Sequence, residues 1–220
     1  MAQPRLPSTS TNSRCARLLV LAHHAPFTIG GTRRCYVHPD DPSKCIKVLR
    51  PDRTAVQRKR AAKGWRRLKP LASFDDQVKE RRAYERLISH REDFVFRHVP
   101  KYFGTVDTDM GIGIVTQLIR DFDGKFPATL EEALLLPVTS ELTSAVDQFK
   151  RWLRDSLLLT RDLLPHNIIV VRQSEGVSRL MIVDGLGSSE FVPLSHWNRF
   201  AARKKVGRKI AKFEAWTGLR

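Results

Sequence analysis

The chain has 220 residues, 41% of them hydrophobic, with 12 Gly and 12 Pro; that is enough apolar material for one packed unit or two small lobes and excludes a disordered chain. Lys and Arg number 39 against 23 Asp and Glu, a net charge of +16, which directs attention to anionic partners such as nucleotide, nucleic acid, phospholipid or anionic glycan. Three cysteines, Cys15, Cys35 and Cys45, without C-x-x-C spacing suggest neither a disulfide framework nor a zinc site and fit a reducing cytoplasm, and the apolar run LLVLA (18–22) is too short for a signal segment or a membrane span.

Residues 1–13 are rich in Ser, Thr and Pro and read as a tail. From LLVLA through PFTIGGTRRCYVHP the pattern is strand, glycine turn, strand; DDPS (40–43) then marks a turn before the strand KCIKVLR (44–50). A turn at Gly30 and Gly31 lets backbone N–H groups approach a phosphate, although most such pairs are plain hairpin turns. Lys47 stands inside an apolar strand, an unusual place for a lysine. Residues 51–73 carry many cations and almost no counter-charge, as a solvated insertion or a polyanion-binding surface would.

A helix follows. Asp75 or Asp76 suits its N-cap, and Val78, Tyr84, Leu87 and Ile88 form its apolar stripe. Glu80 is the carboxylate in its first half that could reach a strand lysine, with Glu85 as the competitor. VPKYFGTVDTDMGIGIVTQLIRDFDGK (99–125) reads as two strands around the turn DTDMG, closing a first lobe over 14–120. Thr129 and Glu132 make a capping box. Residues 141–159 predict a long amphipathic helix with Leu142, Val146, Phe149, Trp152, Leu153 and Leu157 on one face, opening a second lobe over 121–220.

That helix delivers the chain to Asp162 and Asn167, five residues apart on a turn interrupted by Pro165. IIVV (168–171) and LMIV (180–183) then read as two antiparallel strands. Paired run against run, they bring Asp184 back to the level of Asn167, where an amide oxygen and a carboxylate could hold one hard cation. The same residues would serve equally as turn caps and a strand end. At the C-terminus, Trp197, Phe200, Val206, Ile210, Phe213 and Trp216 alternate with Arg203, Lys204, Lys205, Arg208, Lys209 and Lys212. This is a basic amphipathic helix whose apolar stripe docks on the core and whose basic face suits an anionic membrane surface or nucleic acid.

Arg161-Asp162-Leu163-Leu164-Pro165-His166-Asn167 followed by Asp184-Gly185-Leu186-Gly187 resembles the catalytic loop and metal-binding segment of the protein-kinase-like superfamily. More narrowly, IGGTRRCYVHP, CIKV, PKYFGTVDTDMGIG, LIRDFDG, PHNI and VDGLG are similar to the YrbL family of the PhoP regulatory network in Gram-negative bacteria. The resemblance implies an α+β, bilobal kinase-like fold with ATP and Mg²⁺ as cofactors. Lys47 would hold phosphates beside Gly30 and Gly31, Glu80 would position Lys47, Asn167 and Asp184 would bind Mg²⁺, and Asp162 would orient or deprotonate the acceptor. The acceptor class stays open among a small molecule, a lipid and a protein, and no groove-reading motif supports nucleic acid. Three positions depart from the kinase pattern: Thr160 for a loop His, Leu164 for a phosphoryl-neutralising Lys, and Gly185 for the Phe of D-F-G. The same resemblance therefore also fits a regulatory binding module without phosphoryl transfer.

Overall fold

The computed structural model describes residues 18–89, 93–158, 160–161, 163–174, 177–186 and 199–219. The expected tail 1–13, Cys15, Asp162 and Trp197 lie outside the described residues. Five strands, β1 (Thr28–Ile29), β2 (Arg33–His38), β3 (Asp41–Leu49), β4 (Tyr102–Thr108) and β5 (Gly111–Gln117), form one antiparallel sheet in the order β1-β2-β3-β5-β4. A separate hairpin joins β6 (Ile168–Ser174) to β7 (Val177–Ile182). Among the described residues the α-helices are α1 (Ala55–Ala61), α2 (Asp76–Ser89), α3 (Leu130–Ala133), α4 (Ser140–Ser156) and α5 (Arg199–Thr217). The chain is thus mixed α and β, with the sheet contributed by residues 28–117 and the hairpin by 168–182.

LLVLA does not become a strand. Leu19 makes a single parallel bridge to Thr108, and Leu19 and Leu21 are buried against Tyr36, Ile46, Val48 and Val115 on one face of the sheet. Alternation along β3 sends Ile46 and Val48 into that cluster while Cys45 and Lys47 point to the other face. Both faces are covered, so Cys45, Ile46, Lys47 and Val48 are all buried. The β4–β5 turn needs Gly111, whose φ of 96° is open to glycine at little cost.

The cap of α2 is Asp75, whose Oδ1 accepts from the N–H groups of Gln77 at 2.9 Å and Val78 at 3.2 Å. Its far face, Ala83 and Tyr84, joins a second and larger core built on α4, with Val146, Phe149, Trp152 and Leu153, the hairpin residues Leu180 and Ile182, and Val206, Ile210 and Phe213 of α5. The capping box at Thr129 and Glu132 opens α3 as expected. Helix α4 stops at Ser156, short of the expected residue 159, because Leu157 takes a left-handed conformation (φ 50°) and turns the chain toward Thr160. On α5 the expected stripe divides: Val206, Ile210 and Phe213 are buried, whereas Phe200 is 76% and Trp216 40% exposed. Lys205 and Lys150 are themselves buried, Lys150 against Glu214 at 3.2 Å and Asp147 at 3.0 Å.

The hairpin pairs Ile168 with Ile182, Ile169 with Met181 and Val170 with Leu180. This is one residue out of the run-against-run alignment expected from IIVV and LMIV. The core decides it, since this pairing keeps Ile168, Leu180 and Ile182 inside the α4 cluster. Asn167 therefore stands opposite Val183, whose N–H donates to its carbonyl at 2.9 Å, and Asp184 follows one position later.

Candidate functional site

Lys47 reaches the site because β3 is paired on both edges and α2 packs across its face. Its Nζ donates to Glu80 Oε1 at 3.1 Å and to the Val183 carbonyl at 2.6 Å, so strand, helix and hairpin end meet on one ammonium. Lys47 is 5% and Glu80 1% exposed. Of the two helix carboxylates, Glu85 instead sits 3.5 Å from Arg81 on the outer side of α2.

Sequence reasoning missed Arg33 as a site residue. Its guanidinium is buried at the start of β2, bonds Glu80 Oε2, donates to the Asp76 carbonyl at 2.9 Å and lies 3.1 Å from Asp184 Oδ1. Its signal in the sequence was the one that marked Lys47, a cation inside a strand. Asp184 also approaches Arg161 at 3.7 Å and accepts from the N–H of Gly185 at 2.6 Å. Burial pushes the Asp184 carboxyl up, but Arg33, Lys47, the Gly185 N–H and Arg161 together hold it below its ordinary value.

Asp76, the unused candidate for the helix cap, is the second unanticipated member. It is 2% exposed and pairs with Arg161 at 2.7 Å, with Lys79 at 3.4 Å and with Arg58 of α1. Arg161 thus links the start of α2 to the segment that follows α4, while its own N–H donates to the Gly185 carbonyl at 2.8 Å and Thr160 bridges Leu186. Burial raises the Asp76 carboxyl, yet Arg161, Arg58 and Lys79 outweigh it and hold it low.

Asn167 has its backbone engaged on both sides, N–H to the Leu164 carbonyl and C=O from Val183, each at 2.9 Å. At the β1–β2 turn the Gly30 N–H donates to the Arg33 carbonyl at 2.8 Å and the Gly30 carbonyl accepts from Arg50 at 3.3 Å. Gly30 is thus directed into the turn, which leaves Gly31, where an added Cβ would meet nothing within 4 Å, as the open position of the pair. The structure therefore brings Lys47, Glu80 and Asp184 together, with Asn167 one hairpin position away from Asp184.

The profile of the family described as PhoP regulatory network protein YrbL matches residues 19–217. The chain belongs to that family. It is 30% identical over 208 residues to the uncharacterized protein YrbL of Escherichia coli (strain K12), covering 92% of this chain and 89% of that one, and equally to its counterpart in Shigella flexneri.

The YrbL-family match spans every element that builds the cluster, β2, β3, α2, the hairpin and α5. In this YrbL-family chain the Lys47 face also carries the two described thiols. Cys35 pairs with Lys47 across β2 and β3, and its thiol is lowered by a hydrogen bond with Cys45, against burial and with help from Lys47 and Arg33. Cys45 is pushed up correspondingly by the same bond and by burial. Among the described residues no group of three or more His, Cys, Asp or Glu is placed to hold a metal ion, and no helix is long and apolar enough to cross a membrane.

Proposed function

We propose that the Lys47–Glu80–Asp184 cluster is a MgATP site and that this YrbL-family protein transfers a phosphoryl group to a small or anionic acceptor within a PhoP-linked regulatory circuit. The observation that carries the reading is the buried Lys47–Glu80 pair at 3.1 Å, set beside a carboxylate held ionised at the end of a hairpin. A lysine fixed by a helix carboxylate is a cation pre-positioned for phosphate oxygens, and such positioning with charge neutralisation supplies most of the rate in phosphoryl transfer.

The donor set suits a hard dication, since Asn167 and Asp184 supply oxygens of the kind Mg²⁺ shares with waters and substrate phosphates. When bound, the ion contributes charge neutralisation at the transferring phosphates. The chain's own residues do the rest: Lys47 binds phosphate oxygens, Glu80 orients Lys47, Gly31 offers an open turn, and Asp162 orients or takes the proton of the acceptor hydroxyl. Asp162→Asn is expected to cost roughly 10²- to 10⁴-fold in turnover, the scale of a positioned base. The test is transfer of labelled γ-phosphate from ATP to a panel of metabolites and lipids; equal turnover by wild type and Asp162→Asn removes the assignment.

A second reading, a regulatory module without phosphoryl transfer, is favoured by Arg33 and Arg161. Both stand on Asp184, so the protein's own cations already neutralise the metal-side carboxylate. Thermal unfolding separates the two. Magnesium-dependent stabilisation by ATP, about 2.7 kcal/mol at a hundredfold excess over Kd, together with ADP release supports transfer; stabilisation without ADP release supports the module.

A further inference from the structure

Beside the Lys47 cluster, along the flank where α2 meets the strands, lies a cavity of about 540 Å³. Cavities of this size hold small molecules. Its wall carries guanidinium groups from three elements: Arg34 of β2, Arg50 at the end of β3 and Arg81 of α2. Arg50 is tied to Asp52 at 2.9 Å and Arg81 to Glu85 at 3.5 Å. Arg81 meets Glu85 through its Nε, whereas the Arg34 guanidinium makes no ion pair among the described residues.

Two carboxylates share the lining, and neither neutralises these arginines. Asp75 is turned to the N–H groups of Gln77 and Val78, and Asp109 to those of Leu21 at 2.7 Å and Ala22 at 3.0 Å. Gln77 ties this wall to the Lys47 strand. It is 9% exposed, and its Nε2 donates to the carbonyls of Lys47 at 3.0 Å and Ile112 at 2.7 Å, which fixes the amide's orientation. Leu49, Met110 and Ile112 add apolar wall, the last 55% exposed, beside the hydroxyl-bearing Thr54 and Thr105.

We propose that this cavity binds a small organic anion: a phosphate or carboxylate head for the arginines and an apolar body against Met110 and Ile112. Arginine donors in a fork favour such oxyanions over a simple point charge. Gln77 and Arg81 flank Glu80 on α2, so the occupant contacts the helix that carries the Lys47 partner. The proposal stands whether or not the Lys47 cluster transfers phosphate.

Calorimetric titration of the full chain with phenyl phosphate, salicylate and inorganic phosphate tests it. Phenyl phosphate and salicylate should bind saturably at millimolar concentration or below, about tenfold tighter than inorganic phosphate. Arg81→Gln should weaken both by about tenfold. Ile112→Asp, at an exposed rim position that disturbs no buried group, should do the same by repelling the head. Asp184→Asn, in the separate cluster, should leave binding unchanged. Absence of saturable binding, affinity no better than for inorganic phosphate, or loss in Asp184→Asn with retention in Arg81→Gln and Ile112→Asp would overturn the proposal.

Discussion

Lys47 on β3 and Glu80 on α2, 33 residues apart in sequence, meet as a buried ion pair at 3.1 Å, and Glu80 is at the same time the counter-ion of Arg33. One carboxylate therefore compensates two buried cations that arrive on different strands. Its removal is expected to be worse than the removal of either partner.

Glu80→Ala leaves Lys47 and Arg33, 5% and 3% exposed, without their shared counter-charge and should destabilise the protein by about 3–5 kcal/mol. Lys47→Met leaves Glu80 paired with Arg33 and should cost less. Urea unfolding followed by circular dichroism ranks the two; the opposite order would mean that Glu80 is not the common partner.

His98 gives the fold a pH dependence. Burial holds its imidazole neutral, with the pKa lowered to about 4, while Nδ1 makes a 2.6 Å hydrogen bond with the Leu180 carbonyl, which only a ring N–H can donate. The folded value lies below the unfolded value of about 6.5, so the unfolded state binds the proton first. The contribution is complete above pH about 6.5 and is lost progressively as pH falls toward about 4, reaching about 3 kcal/mol. His98→Gln retains a donor but does not titrate. Its urea midpoint should change less than that of wild type between pH 7 and 5, and parallel slopes would refute the assignment.

Gly113 on β5 is held small by packing. A Cβ there would lie 2.6 Å from Ile46 Cγ2, on a fully buried β-branched side chain that has few rotamers to escape into. Gly113→Ala should cost about 1–3 kcal/mol as an overpacking change. Ile46→Ala combined with Gly113→Ala should cost less than the sum of the single changes, because the two sites share the same space. Strict additivity in a double-mutant cycle would place the cause elsewhere.

Cys35 should react before Cys45. The Cys45 thiol, Lys47 and Arg33 favour the Cys35 thiolate, whereas Cys45 is buried and pushed up. Iodoacetamide labelling mapped by mass spectrometry should modify Cys35 at neutral pH with Cys45 protected, and Lys47→Met should slow Cys35 labelling. Equal labelling of the two thiols would show that the cations do not act on Cys35.

Much of the site was legible because its signals are local. A lysine inside an apolar strand, a carboxylate in the first half of a helix capped by Asp75 or Asp76, and two apolar runs around a polar turn are local patterns that need no knowledge of the rest of the fold. Lys47 and Asp184 stand out through them, as do the capping box at Thr129 and the β4–β5 turn, whereas Glu80 is one of two helix carboxylates and the family resemblance favours it over Glu85. What the pattern could not supply was which charges would meet. Arg33 and Arg34 are adjacent and chemically identical, yet the pleat sends Arg33 to Glu80 and Asp184 and Arg34 to the cavity wall. Asp75 and Asp76 are likewise adjacent, and only the packing of α1 and the Arg161 loop against α2 made Asp75 the cap and Asp76 the buried partner of Arg58, Lys79 and Arg161. The one-residue offset of the β6–β7 pairing and the left-handed stop at Leu157 have the same origin. Strand alternation and helix capping are set by neighbours in the chain. Ion pairs, register and the ends of buried helices are set by which surfaces exclude water together, and that is decided only when the whole core closes.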